Sequence, residues 1–127
     1  MYLYVMRHGI AVDHADTETR SDDRARALTA KGIKRMQKVA KGIITLKLSF
    51  DRILCSPLER ARQTAKIIAQ ALQLEDRLEE IEQLCPDQSV KELISGLGAY
   101  SGAKKILLVG HEPLLSTMIS FLLSTLT

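Results

Sequence analysis

Two histidines end two apolar runs in the same way. His8 follows Tyr2-Leu3-Tyr4-Val5-Met6 and Arg7, and His111 follows Ile106-Leu107-Leu108-Val109 and Gly110. A third run, Ile53-Leu54-Cys55, breaks abruptly into Ser56-Pro57-Leu58-Glu59-Arg60. If the three runs are neighbouring strands, both imidazoles and the guanidinium groups of Arg7 and Arg60 meet at one sheet edge. That grouping suits phosphoryl transfer, which needs a nucleophile in line with the leaving group and positive charge around the equatorial oxygens. His8 is the candidate nucleophile. A neutral imidazole attacks without a separate base, provided one ring nitrogen donates to a backbone carbonyl and leaves the other lone pair facing phosphorus. Arg7, Arg60 and His111 complete the candidate catalytic set by holding the phosphoryl oxygens, with His111 expected to be protonated while water attacks the intermediate. The substrate contacts then comprise Arg7, Arg60 and His111 with Gly9, expected to admit a ligand close to the backbone, and Ser56, read first as a helix cap and second as a phosphate contact.

Positioning these side chains requires strands that stop where the chemistry begins. Segments 2–6, 52–55 and 105–109 are apolar throughout, as in strands of a parallel sheet covered on both faces. Leu78-Glu79-Glu80-Ile81 reads as a further edge strand whose charges discourage more pairing. Helical patterns lie between. Thr29 is placed to cap a helix with Ile33, Met36, Ala40, Ile43 and Ile44 on one side. Ser56, Pro57 and Glu59 spell a capped helix start, with Leu58, Ala61, Ala65, Ile68 and Leu72 as its buried stripe. Residues 88–97 read as another helix, with Gly96, Gly98 and Gly102 marking the way into the last strand. From Pro113 onward the chain is helical and apolar on more than one face. Strands alternating with helices predict an α/β fold, a three-layer α/β/α sandwich around a mainly parallel sheet.

The 127 residues, 46% of them apolar, suit a single domain spanning 1–127. No stretch of about 18 or more apolar residues is present to span a bilayer, and no leader-like start is seen. Two cysteines, Cys55 and Cys85, are too few for a disulfide framework, so the expected setting is the reducing cytoplasm. A net charge of +3, dispersed among Glu and Asp, with no Trp, argues against nucleic-acid binding. The stretch Asp13 to Arg26 is charged and nearly free of apolar residues, and reads first as a solvated surface loop and second as a rim that contacts substrate. His14 within it reads as an exposed side chain.

Rival chemistries fit poorly. The spacing of His8, His14, His111 and the two cysteines follows no known zinc pattern, so no metal or other cofactor is expected. Cys55 with Arg60 lacks the interval and the glycines of a cysteine-dependent phosphatase loop. Arg62 reads as a solvent-facing or locally paired residue.

Taken in order, Arg7-His8-Gly9, Leu28-Thr29-Ala30-Lys31-Gly32, the run from Ser56 to Ala65 and Val109-Gly110-His111-Glu112-Pro113 resemble the motifs of the histidine phosphatase superfamily. The resemblance covers nearly the whole chain and implies the phosphoglycerate mutase-like fold. Small size and the lack of a large insertion bring it nearest the SixA group of phosphohistidine phosphatases. It thereby implies a covalent phosphohistidine on His8 and a partner that is a histidine-containing phosphotransfer domain of a signalling protein. A phosphomonoesterase for small esters and a phosphohistidine relay are the alternatives. The chain departs from larger members at the position of their general acid, where Gln83 stands in Glu82-Gln83-Leu84-Cys85-Pro86. Glu82 or Asp87 is then the substitute, and a phosphohistidine substrate, whose imidazole leaving group titrates near neutrality, needs such help least. The family domain normally continues a few tens of residues past the point reached by Thr127, so cover for the last helix is expected from a further tail. The oligomeric state is left open.

Overall fold

Successive side chains of a strand point to opposite faces, and the apolar runs of this chain use both. The computed structural model describes residues 1–13 and 23–125. Strands β1 (Tyr2–Arg7), β2 (Arg52–Cys55), β3 (Leu78–Glu80) and β4 (Lys105–Gly110) form one sheet in the order β1-β4-β2-β3. Every pairing is parallel. Ile53, Cys55, Leu107 and Val109 face one core, with Tyr4 and Met6 packed at its margin. Leu54, Ile106 and Leu108 face the other, beside Leu3 and Val5.

Helices cover both faces. α1 (Ala30–Thr45) and α2 (Glu59–Leu72) supply Ala40, Ile43, Ala61, Ala65 and Ile68 to the first core. α3 (Val90–Leu97) and α4 (Leu114–Ser124) supply Leu93, Leu97, Leu114, Leu115 and Met118 to the second. The result is the expected three-layer sandwich. Burying one such Ile or Leu contributes about 1.5–3 kcal/mol.

Thr29 caps α1 as its sequence suggests, its hydroxyl accepting the Gly32 N–H at 2.9 Å. Ile44 departs from the expected stripe and is exposed, pointing about 100° around the helix from its buried neighbour Ile43. The start of α2 also differs. Leu58, not Ser56, is the N-cap residue, and no side chain caps this helix. Ser56 instead accepts the Leu58 N–H at 3.1 Å in a tight turn that precedes the helix. One face of α4 is buried through Leu114, Leu115 and Met118, while Ile119, Phe121 and Leu123 are exposed. Among the described residues, no helix is long and apolar enough to cross a membrane. Most of the charged stretch from Asp13 to Arg26, His14 included, lies outside the described residues.

Candidate active site

Parallel register brings the two histidines together. Arg7 pairs with Gly110, and the His8 N–H continues the ladder by donating to the Gly110 carbonyl at 3.0 Å. The next residue of each strand, His8 and His111, therefore leaves the sheet side by side, with ring centroids 5.1 Å apart. On the other flank Cys55 pairs with Val109, and the Ser56 N–H donates to the Val109 carbonyl at 3.1 Å. That puts the turn into α2, and with it Arg60, against the same edge.

His8 is half-buried. Its Nδ1 lies 2.7 Å from the Gly9 carbonyl oxygen, which can only accept, so Nδ1 carries the proton. Arg60 Nε donates to His8 Nε2 at 3.3 Å, which requires a lone pair there. The two contacts agree on one tautomer. The arrangement is the one the sequence reading demanded of a nucleophile. Burial, then the Arg60, Arg7 and Arg26 charges, hold the His8 pKa below its ordinary value, against the opposing pull of the Gly9 carbonyl.

Arg60, in the first turn of α2, is only 4% exposed. Its Nη1 donates to the Asp23 carbonyl at 2.8 Å, and its Nη2 lies 3.4 Å from the Asp23 carboxylate. Asp23 also receives Arg26 Nε at 2.9 Å. Burial lowers the Arg60 pKa, with Asp23 acting to raise it. Arg7 stands exposed at the end of β1 and makes no side-chain hydrogen bond or ion pair with a described residue. His8, Arg7, Gly9, Arg60 and His111 line one cleft of about 520 Å³, together with Arg26, Asp23 and Glu112.

Several expectations are corrected. Ser56 is fully buried and does not line the cleft, so it is no direct phosphate contact; its hydroxyl sits behind His111, 2.8 Å from Nε2. In the ligand-free site His111 is held neutral near pH 7. Burial, then the charges of Arg60 and His8, push its pKa down to about 3. Gly9 lines the cleft as expected, and packing also demands a glycine there, since a Cβ would meet the Met36 and Leu28 side chains at 2.9 and 3.3 Å. The proposed stand-ins for a general acid do not line the cleft itself. Gln83 packs on Gly96, Glu82 pairs with Arg24, and Asp87 lines an adjoining depression that shares Asp23 and Pro86 with the cleft. Among the described residues, the carboxylates lining the cleft are Asp23 and Glu112. Cys55 is buried with its thiol pushed up to about 12, mainly by burial, which disfavours a thiolate nucleophile.

Sequence reasoning did not single out Asp23, Arg26 and Thr64. The Thr64 hydroxyl accepts the Gly9 N–H at 3.0 Å and donates to the Arg60 carbonyl at 2.8 Å, tying the His8 loop to α2. The signal for Asp23 and Arg26 is their place in the charged stretch read second as a rim, which does not distinguish them from the other charged residues there.

A model of the histidine phosphatase superfamily, branch 1, matches residues 3–84. The chain is 34% identical over 129 residues to the phosphohistidine phosphatase SixA homolog of Haemophilus influenzae, covering 94% of this chain and 76% of that one. It is 28% identical over 172 residues to the adenosylcobalamin/alpha-ribazole phosphatase of Salmonella typhi, covering 98% and 80%. Among solved structures, the protein histidine phosphatase SixA complexed with tungstate matches at a TM-score of 0.80 and 28% identity, covering 93% of this chain and 74% of that one.

Proposed function

This chain belongs to the histidine phosphatase superfamily, and we propose that within it the protein is a phosphohistidine phosphatase, acting on a histidine-containing phosphotransfer domain through a covalent intermediate on His8. That it is a phosphatase follows from its relatives; the substrate and the mechanism are our reading.

The observation that carries it is the tautomer of His8. With Nδ1–H held by the Gly9 carbonyl, the Nε2 lone pair, which accepts from Arg60 Nε in the ligand-free protein, is the ring's nucleophilic site. On a substrate phosphohistidine already protonated on its other ring nitrogen, attack by Nε2 forms an N–P bond on His8 as the P–N bond of the substrate breaks, and the substrate imidazole leaves neutral, keeping that proton. Water then attacks phosphorus, breaks the His8 N–P bond and releases inorganic phosphate. Arg7, Arg26 and Arg60 surround the cleft and offset the charge on the phosphoryl oxygens, so the steps need no metal.

Two features favour a protein-borne phosphohistidine over a small ester. No residue at the expected general-acid position reaches the cleft, and imidazole leaves with less protonic help than an alkoxide does. The alignment with the alpha-ribazole phosphatase also runs to 172 positions against a chain of 127 residues, so that enzyme carries inserted segments absent here. Less chain is then available to enclose a small metabolite. A cytoplasmic signalling setting follows from the same reading.

The test is turnover of a phosphorylated phosphotransfer domain against sugar phosphates, with acid-free quenching and mass spectrometry of His8. Faster turnover of the phosphoprotein, with transient phosphate on His8, supports the proposal. Preference for small esters overturns the substrate, and a phosphoenzyme that persists for hours and passes phosphate to an acceptor protein overturns the phosphatase in favour of a relay.

A further inference from the structure

Ser56 and His111 form a buried pair that the steps above do not use. The Ser56 hydroxyl has two partners among the described residues: it accepts from Leu58 N–H at 3.1 Å and lies 2.8 Å from His111 Nε2. Ser56 is fully buried, so bulk water does not reach its hydroxyl. Buried hydroxyl protons are seldom left without an acceptor, because an unmade bond costs about 1–3 kcal/mol. The remaining acceptor is the lone pair of His111 Nε2. If the hydroxyl donates there, the ring proton must sit on Nδ1.

Nδ1 of His111 is itself buried and has no hydrogen-bond partner among the described residues. His111 lines the cleft, beside the ring of His8. With the opposite tautomer, the Ser56 proton would be stranded and the buried Nδ1 would carry a lone pair, which disfavours an anion in the cleft that His111 lines. Both consequences are unfavourable, and one proton placement removes them together.

We propose that Ser56 is a positioning residue that fixes the tautomer of His111, so that the ring presents Nδ1–H as a preorganised donor to a phosphoryl oxygen. This rests on the phosphatase reading of the same site. A donor aimed in advance at the developing charge needs no reorganisation during the reaction. The low pKa of His111, about 3, fits the assignment, since the ring then serves as a neutral donor near pH 7. Ser56 acts through His111 and does not touch the substrate.

Long-range ¹H–¹⁵N correlation spectra of the ring nitrogens in the ligand-free protein read the tautomer directly. The expected result at pH 7 is a protonated Nδ1 and an unprotonated Nε2 for His111. In Ser56→Ala the Nε2–H form should appear and kcat should fall about tenfold, the worth of one hydrogen bond, with KM little changed. Ser56→Thr, which keeps the hydroxyl, should restore both. A wild-type His111 protonated on Nε2 overturns the proposal, as does a Ser56→Ala protein that keeps the Nδ1–H pattern and full kcat. The wild-type spectrum decides even if Ser56→Ala does not fold. Lack of turnover by the wild-type protein would overturn the phosphatase reading instead, while the ring signals still report the tautomer.

Discussion

Arg60 Nε points at the nucleophilic nitrogen of His8, 3.3 Å from its Nε2. The other two guanidinium nitrogens are held by the backbone carbonyl and carboxylate of Asp23. One planar group thus addresses the nucleophile along one edge and an anchoring acid along another. Lysine offers a single point charge on a flexible stem and cannot make both sets of contacts. Arg60→Lys should lower kcat by about 10²–10³, the range for losing a preorganised donor to transition-state oxygens. Steady-state kinetics would check it, and activity within threefold of wild type would show that the fork geometry is dispensable.

Asp23 joins the two buried arginines, Arg26 at 2.9 Å and Arg60 at 3.4 Å. Removing its charge leaves two guanidinium groups facing each other in a cleft that binds an anion. Asp23→Asn should therefore lose about 1–2 kcal/mol of stability, a value kept low because Asp23 is partly exposed. The same change should tighten binding of tungstate or phosphate several-fold. Thermal melts and calorimetric titration would show the opposed signs, and a variant that binds anions more weakly would mean that Asp23 orients Arg60 for binding instead of competing for it.

Much of this site is written in local pattern. Apolar runs that stop at His8 and His111 identify two strand ends, and parallel register does the rest, because adjacent strands place residues at equal positions side by side. What local pattern misreads is where a tertiary contact outbids a local one. Ser-Pro-Leu-Glu spells a capping box, but the Ser56 hydroxyl lies against His111, so the cap never forms. Asp23 and Arg26 sit in a stretch without hydrophobic periodicity, and their partner Arg60 is 37 residues from Asp23. Nothing nearby in sequence announces a contact across that separation. Gly9 reads as room for a ligand and does line the cleft, but nothing local shows that Met36 and Leu28 also demand a glycine there.

His111 gives the fold a defined acid sensitivity. Held at about 3 in the folded protein and near 6.5 when unfolded, it binds fewer protons folded than unfolded throughout that interval. Stability therefore falls as pH drops from about 6.5 toward 3, by an amount on the order of a few kcal/mol. The charges facing the ring, Arg60, His8 and Arg26 on one side of the balance and Asp23 on the other, set the low value together with burial. In His111→Gln that contribution is gone, leaving the part due to His8, whose pKa is also lowered. Melting temperatures of the two proteins between pH 4 and 7.5 should converge at the acid end. Parallel curves would show that His111 titrates normally in the fold.

Gly32 and Gly42 lie on the same helix and should respond oppositely to the same substitution. A Cβ on Gly32 would run into the backbone carbonyl of Ile10, which the Thr29 N–H also contacts at 2.9 Å. That carbonyl belongs to the loop that carries His8 and cannot yield as a side-chain tip can. A Cβ on Gly42 meets nothing within 4 Å. Alanine is favoured over glycine within a helix by about 0.8–1 kcal/mol, so Gly42→Ala should stabilise the protein by roughly that much and leave kcat unchanged. Gly32→Ala gains the same helix propensity but must push α1 away from the His8 loop, a strain of about 1–3 kcal/mol. It should be less stable than wild type and lose activity out of proportion to stability, because the Gly9 carbonyl that orients His8 belongs to the displaced segment. Denaturant melts with kcat on both variants separate the two effects. A Gly32→Ala protein as stable and active as Gly42→Ala would show that the loop follows the helix freely, and that close approach of α1 to Ile10 does not set the geometry of the nucleophile.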